Sequence, residues 1–155
     1  MGYAEKVLQP GEQIVYRAQL HWIVFAGAIL TAGATILLLI VSIAAPDPHA
    51  RAALFGAAVL VALLAGVQAL AAWLKRRTTE ILVTNRRIIL KQGVLTLSTI
   101  EMNIDKVESV QVHQDLLGRV LDFGTLIVRG VGAGLEPVRN VARPLDFHRH
   151  VNAER

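Results

Sequence analysis

Two stretches without a charged residue, Trp22 to Ala45 and Ala52 to Leu74, are separated only by Pro46-Asp47-Pro48-His49-Ala50-Arg51. A helix rises about 1.5 Å per residue, so about 20 apolar residues cross about 30 Å of hydrocarbon and each stretch is long enough to span a bilayer. The short connection predicts antiparallel helices, with residues 1–21 and 75–155 on one side and turn 46–51 on the other. Lys75-Arg76-Arg77 abut the second stretch and Arg86-Arg87 follow, whereas the turn carries Arg51 offset by Asp47. Basic residues collect on the cytoplasmic side, which predicts cytoplasmic termini and an external turn. The rival reading is a cleaved signal peptide, with Ser42-Ile43-Ala44-Ala45 as its small-residue site. Against it, the run begins late and exceeds an h-region of about 7–15 residues. Met1-Gly2 is not a myristoylation signal, because Lys6 stands where Ser or Thr is required.

The apolar excess, 54% hydrophobic with mean hydropathy +0.48, is concentrated in these spans. Outside them the chain reads as a small soluble domain. The net charge of +4 falls after Leu74, since Met1 to Leu74 balances three basic against three acidic residues. A basic domain beside a bilayer suits an anionic lipid surface. Nucleic acid is not an expected partner, because after Trp73 only Phe123 and Phe147 remain as aromatics for base stacking. The absence of cysteine excludes disulfides, thiolate metal sites and cysteine nucleophiles.

Within the spans the polar residues are Thr31, Thr35, Ser42 and Gln68, none of them ionisable. Proton relays and ion paths place ionisable groups in the membrane, so a transporter or proton channel is not expected. Small residues recur at helical spacing, as Gly27, Thr31 and Thr35 in the first span and Ala58, Ala62 and Gly66 in the second. Such faces let helices pack within the hairpin or between copies, although alanine-rich helices also produce them by chance.

After Thr78 the pattern changes to alternation. Thr79 to Thr84 and Arg87 to Lys91 flank Asn85-Arg86 and predict a hairpin, with Asn85 suited to a left-handed turn. Gly93 marks a turn before two strands carrying Val94, Leu95, Leu97, Ile100, Met102, Ile104, Val107, Val110 and Val112, with a kink at Asn103 to Lys106. Gln114 to Asp122, with Leu116, Leu117, Val120 and Leu121 around Gly118, predicts a helical turn packed on the sheet. Strands resume at Thr125 to Arg129 and Leu135 to Val141. Pro144 then opens a helix through Val151 whose inner face is Leu145, Phe147, His148 and Val151. Upstream, Ile14, Tyr16, Ala18 and Leu20 alternate with Gln13, Val15, Arg17 and Gln19, predicting a strand in residues 1–21 that joins this domain. The predicted class is an α+β membrane protein, a transmembrane helical hairpin (22–74) plus a β-barrel or sandwich (75–155) capped by a C-terminal helix.

Leu82-Val83-Thr84-Asn85-Arg86-Arg87-Ile88, Gly93, Ile104 to Val110, Leu117 to Thr125 and Pro144-Leu145-Asp146-Phe147 together resemble the bacterial pleckstrin-homology-like (PH-like) domain of membrane proteins. Gln9-Pro10-Gly11-Glu12 and His21-Trp22 resemble that family's lead-in to paired membrane helices, so the likeness covers nearly the whole chain. It implies a PH-like barrel anchored by a hairpin in the bacterial cytoplasmic (inner) membrane. It implies no established activity. Related eukaryotic folds bind phosphoinositides through a basic loop between their first two strands, and here that loop is too short for a comparable basket.

Lys75, Arg76, Arg77, Arg86 and Arg87 are the candidate lipid-headgroup contacts, each worth about 1 kcal/mol at an anionic surface. The competing reading makes them solvated turn residues and stop-transfer charges. His148 and His150, two apart on a helix, point to different faces and lack a third ligand, so no metal is expected. Gly130-Val131-Gly132-Ala133-Gly134 lacks the Lys-Ser/Thr ending of a phosphate loop. Asp105, Glu108, Asp115 and Asp122 form no paired-carboxylate spacing, and Ser98 and Ser109 lie in strand patterns without a nucleophile elbow. No enzyme activity and no cofactor are expected. Two function classes remain: a scaffold or interaction module that self-associates as a homo-oligomer or binds an unidentified membrane or cytoplasmic protein, and a module that binds or handles anionic membrane lipids. A pore is weaker, because the spans carry no polar stripe.

Overall fold

The computed structural model describes residues 8–93, 98–131 and 137–154. Val94, Leu95, Leu97 and Leu135, predicted as strand, and Gly132 to Gly134 of the glycine run lie outside the described residues, as do residues 1–7. The chain divides into two compact units, Trp22–Leu74 and the sequence on either side of it.

The first unit is a pair of helices. A 3-10 turn, Trp22–Phe25, leads into α1 (Ala26–Ala44), and α2 runs from Pro48 to Thr78. The turn predicted at 46–51 is therefore shorter, because Pro48 begins the helix and Asp47 caps it, its carboxylate accepting the Ala50 N–H at 2.7 Å. At the other end α2 continues through Lys75-Arg76-Arg77, where cations face the negative pole of the helix dipole. Buried and half-buried residues repeat at alternating three- and four-residue steps: Ala28, Thr31, Thr35, Leu38 and Ser42 on α1, and Leu54, Ala58, Val61, Ala65, Gln68 and Ala72 on α2. The Thr31 hydroxyl donates to Gln68 Oε1 at 3.2 Å and Ser42 Oγ to the Arg51 carbonyl at 3.0 Å, so Thr31, Ser42 and Gln68 join the helices to each other. Large apolar side chains such as Leu30, Ile43, Leu60 and Val67 face outward. Only 6% of the apolar window of each helix is buried within the protein, and both helices are long and apolar enough to cross a membrane. A core helix of a soluble protein would bury most of that surface.

The second unit holds two antiparallel sheets. β1 (Ile14–Ala18), β2 (Glu80–Thr84), β3 (Arg87–Gln92) and β4 (Ser98–Asn103) form one in that order. β5 (Val107–His113), β6 (Phe123–Gly130) and β7 (Val138–Ala142) form the other. Ile81, Ile88 and Leu90 from the first sheet meet Leu126, Val128 and Val138 from the second around Phe147 of α4 (Pro144–Ala153). This is a two-sheet α+β arrangement consistent with a PH-like fold, but the sheets are not a closed barrel. Among the described residues no ladder joins β4 to β5, because the 3-10 turn Ile104–Lys106 carries the chain between sheets with Ile104 buried. The sheets are joined instead through the N-terminal segment. Beyond β1, Leu20 bridges Val141 of β7, and the His21 N–H donates to the Asn140 carbonyl at 2.7 Å.

Three local expectations change. A bulge between Ile14 and Tyr16 turns Ile14 to the outer sheet face against Leu82 and Ile89, while Tyr16 meets Phe147 edge-on inside. The inner line of α4 is Pro144, Phe147 and Val151, with Leu145 outward. Asn85 does not adopt a left-handed conformation; its Oδ1 accepts the Gln13 N–H at 3.1 Å, so its side chain docks the N-terminal segment.

Candidate functional site

The most completely built polar site joins the N-terminal segment to the β2–β3 turn. Thr84 accepts the Arg87 N–H at 3.0 Å and the Arg86 N–H at 3.2 Å, and this fixes the two-residue turn without glycine. The Thr84 hydroxyl donates to Glu12 Oε1 at 2.7 Å. Arg87 meets both oxygens of Glu12, Nε to Oε1 at 2.9 Å and Nη2 to Oε2 at 2.8 Å, and its Nη1 meets Glu101 Oε2 at 2.6 Å. The Gln9 N–H adds a bond to Glu12 Oε2 at 2.9 Å. The Glu12 side chain is fully buried, and its bonds to Arg87, supported by Gln9 and Thr84, outweigh that burial and hold its carboxyl at about 2. The Arg87 guanidinium is pushed further up, chiefly by the Glu12 bond.

This geometry divides the five candidate cations. The Thr79 N–H donates to the Lys75 carbonyl at 3.1 Å, so Lys75, Arg76 and Arg77 stand where β2 begins. Arg86 and Arg87 stand where it ends, the length of a five-residue strand away, about 17 Å at about 3.3 Å per residue. Lys75, Arg76, Arg77 and Arg86 are exposed, whereas the Arg87 side chain is 11% exposed and committed to two carboxylates. The structure therefore brings together Lys75 to Arg77 but not the whole set. Arg86 and Arg87 instead line an open groove of about 460 Å³ with Gln9, Asn85, Asn103 and Asp105, a mixed lining with no concentration of positive charge.

At the other end of the unit is the junction with the apolar helices. The His21 ring stacks on Phe123 with centroids 5.2 Å apart, and burial, followed by the Arg76 charge, pushes its imidazole below the ordinary value. His21, Arg76 and the chain around Asp122 thus form one cluster immediately outside the residues that enter and leave the helical pair.

A model of the bacterial PH domain family matches residues 20–155. The chain belongs to the bacterial PH domain family. No curated protein and no solved structure matches it. In this bacterial PH domain the family match begins at Leu20, so β1 and Glu12 lie outside it, although they complete the first sheet and neutralise Arg87.

Among the candidate packing residues, Thr31 and Thr35 lie on the seam between α1 and α2, and Ala58 is buried there. Gly27 borders the seam, since a Cβ there would stand 3.4 Å from Gln68 Oε1. Ala62 and Gly66 face outward, and nothing lies within 4 Å of a Cβ added at Gly66. The histidines of α4 have local partners: His150 stacks on Tyr16 at 4.5 Å with Nδ1 2.7 Å from the Asp146 carbonyl, and His148 meets Asn152. Sequence reasoning missed Glu12 and Glu101. The available signal was a carboxylate within an otherwise uncharged Gln-Pro-Gly-Glu-Gln run beside a predicted strand, but nothing local named Arg87 as its partner.

Proposed function

We propose that this bacterial PH domain protein is a non-enzymatic, membrane-anchored interaction module that self-associates through its helical pair. In this reading α1 and α2 cross the cytoplasmic membrane, and Lys75-Arg76-Arg77 keep the two-sheet unit and both termini on the cytoplasmic side. The supporting observation is the division of small residues: Ala58, Ala65 and Ala72 are used on the seam, while Ala62 and Gly66, four residues apart, are turned outward beside large apolar residues such as Leu63 and Val67. An outward small-residue step lets a second copy approach closely in lipid, where packing rather than water exclusion drives helix association.

The test is the mass of the full-length protein in lipid nanodiscs, by native mass spectrometry, with Gly66→Leu as the variant. Gly66→Leu leaves the α1–α2 seam untouched because its Cβ meets open space; Gly27→Leu would disturb the seam at Gln68. A discrete wild-type oligomer that falls to monomer mass in Gly66→Leu supports the proposal. A monomeric wild type, or a variant of unchanged mass, refutes it.

A second reading, contact with anionic lipid, is favoured by the exposed Lys75-Arg76-Arg77 group at the end of α2. It involves that group rather than Arg87, whose charge is already paired.

A further inference from the structure

The short helix α3 (Leu116–Leu121) turns its largest side chains away from the protein. Leu116, Leu117 and Val120 are 80%, 65% and 80% exposed, and at 100° per residue they share one face, with Gly118 on the opposite side. The helix expected to bury Leu116, Leu117, Val120 and Leu121 on the sheet therefore packs through Gly118, with only Leu121 of that set half-buried. A Cβ at Gly118 would stand 2.6 Å from the Phe123 carbonyl oxygen, which is how closely α3 lies on the chain entering β6. Its position is fixed at both ends. Asp115 caps it, accepting the Gly118 N–H at 2.6 Å, and the Gln114 amide donates to the Gly118 and Phe123 carbonyls at 3.2 and 3.1 Å. Asp122 then stops it in a left-handed conformation. The apolar face is thus held outward by a built framework, and such a face on a folded unit marks a contact surface.

Its location indicates what covers it. Phe123, two residues after α3, stacks on His21, and His21 feels the charges of Arg76 and Asp122. One residue beyond His21 is Trp22, and Trp73-Leu74 precede Lys75, so these are the points where the chain passes into the two apolar helices. Trp favours the membrane–water interface. α3 is only about 9 Å long and ends two residues before Phe123, the residue that stacks on His21. Exposed Arg119 borders the face and Lys75-Arg76-Arg77 share its end of the unit, giving cations for phosphates around apolar side chains, the composition of an interfacial helix.

We infer that α3 is a third membrane contact, which seats Leu116, Leu117 and Val120 in the headgroup–acyl boundary and fixes how the two-sheet unit faces the bilayer. The inference rests on the anchored reading above. It is tested on the full chain, which has no cysteine and so accepts single labels. Nitroxides are placed one at a time, through Leu117→Cys, Val120→Cys, Asp105→Cys and Leu63→Cys, in liposomes of phosphatidylglycerol and phosphatidylethanolamine. Accessibility to oxygen, which partitions into lipid, is compared with accessibility to a water-soluble nickel chelate. The expected result is a several-fold higher oxygen-to-nickel ratio at 117 and 120 than at 105, with 63 higher still. Equal ratios at 117, 120 and 105 with a lipid-buried 63 overturn the inference while leaving the anchor intact. A water-accessible 63 overturns the anchored reading itself. Spin–spin broadening at 117 that disappears on dilution with unlabelled protein overturns the inference in favour of a second copy covering α3.

Discussion

Replacing Glu12 by Gln should remove much of what holds the N-terminal segment to the first sheet. Glu12 lies on the segment preceding α1, Arg87 on β3, and their bidentate contact at 2.8–2.9 Å is buried with Thr84 and the Gln9 N–H around it. The carboxyl moves from 4.5 to about 2 on folding. Converted from pH units to free energy, that difference is worth about 3 kcal/mol. Because the folded value lies below the unfolded one, this stability is fully present above about pH 4.5 and is lost as the pH falls towards 2. Glu12→Gln keeps the shape but not the charge, so at pH 7 it should cost about 3 kcal/mol, somewhat less where Glu101 compensates Arg87. Hydrogen exchange of full-length protein in mild detergent reads this directly. Amides of β2 and β3 that exchange only when the unit opens should exchange about a hundredfold faster in the variant, the equivalent of about 3 kcal/mol. Urea midpoints of wild type and variant should differ clearly at pH 7 and converge as the pH approaches 2. An increase in exchange below about threefold, under about 1 kcal/mol, or a gap unchanged between pH 7 and pH 3, would refute the assigned role of the pair.

Two further substitutions separate structural from surface roles. Arg87→Ala leaves the Glu12 carboxylate buried without its partner and should destabilise the two-sheet unit by about 3–5 kcal/mol, whereas Arg86→Ala, at an exposed turn position, should stay within about 0.5 kcal/mol; exchange of the β2 and β3 amides distinguishes them, and equal effects would show that the burial difference does not matter. Gly118→Val drives a side chain into the Phe123 carbonyl and should cost about 1–3 kcal/mol through displacement of α3, seen as a lowered urea midpoint with faster exchange of the β6 amides, while an unchanged midpoint would show that α3 is not held against that strand.

The covalent sequence by itself determined what depends on neighbours along the chain. Two uncharged runs of sufficient length dictate two apolar helices, because backbone groups in such segments are satisfied only within the helix. Alternation around Asn85-Arg86 dictates a hairpin, because side chains on a strand change face at every residue. The kink at Asn103 to Lys106 and the helix opened by Pro144 were legible for similar local reasons. Only the tertiary structure decided what depends on residues far apart. Glu12 and Arg87 are separated by the whole helical pair, and their contact exists because β1 adds to β2 in antiparallel register. The extended five-residue strand β2 separates Arg86 and Arg87 from Lys75 to Arg77, although in sequence all five read as one basic cluster. The outward face of α3 was hidden for a related reason. Leucine around a glycine implies burial when only local pattern is read, whereas here the close approach of Gly118 to Phe123 forces the helix to pack on its smallest residue and present its largest ones.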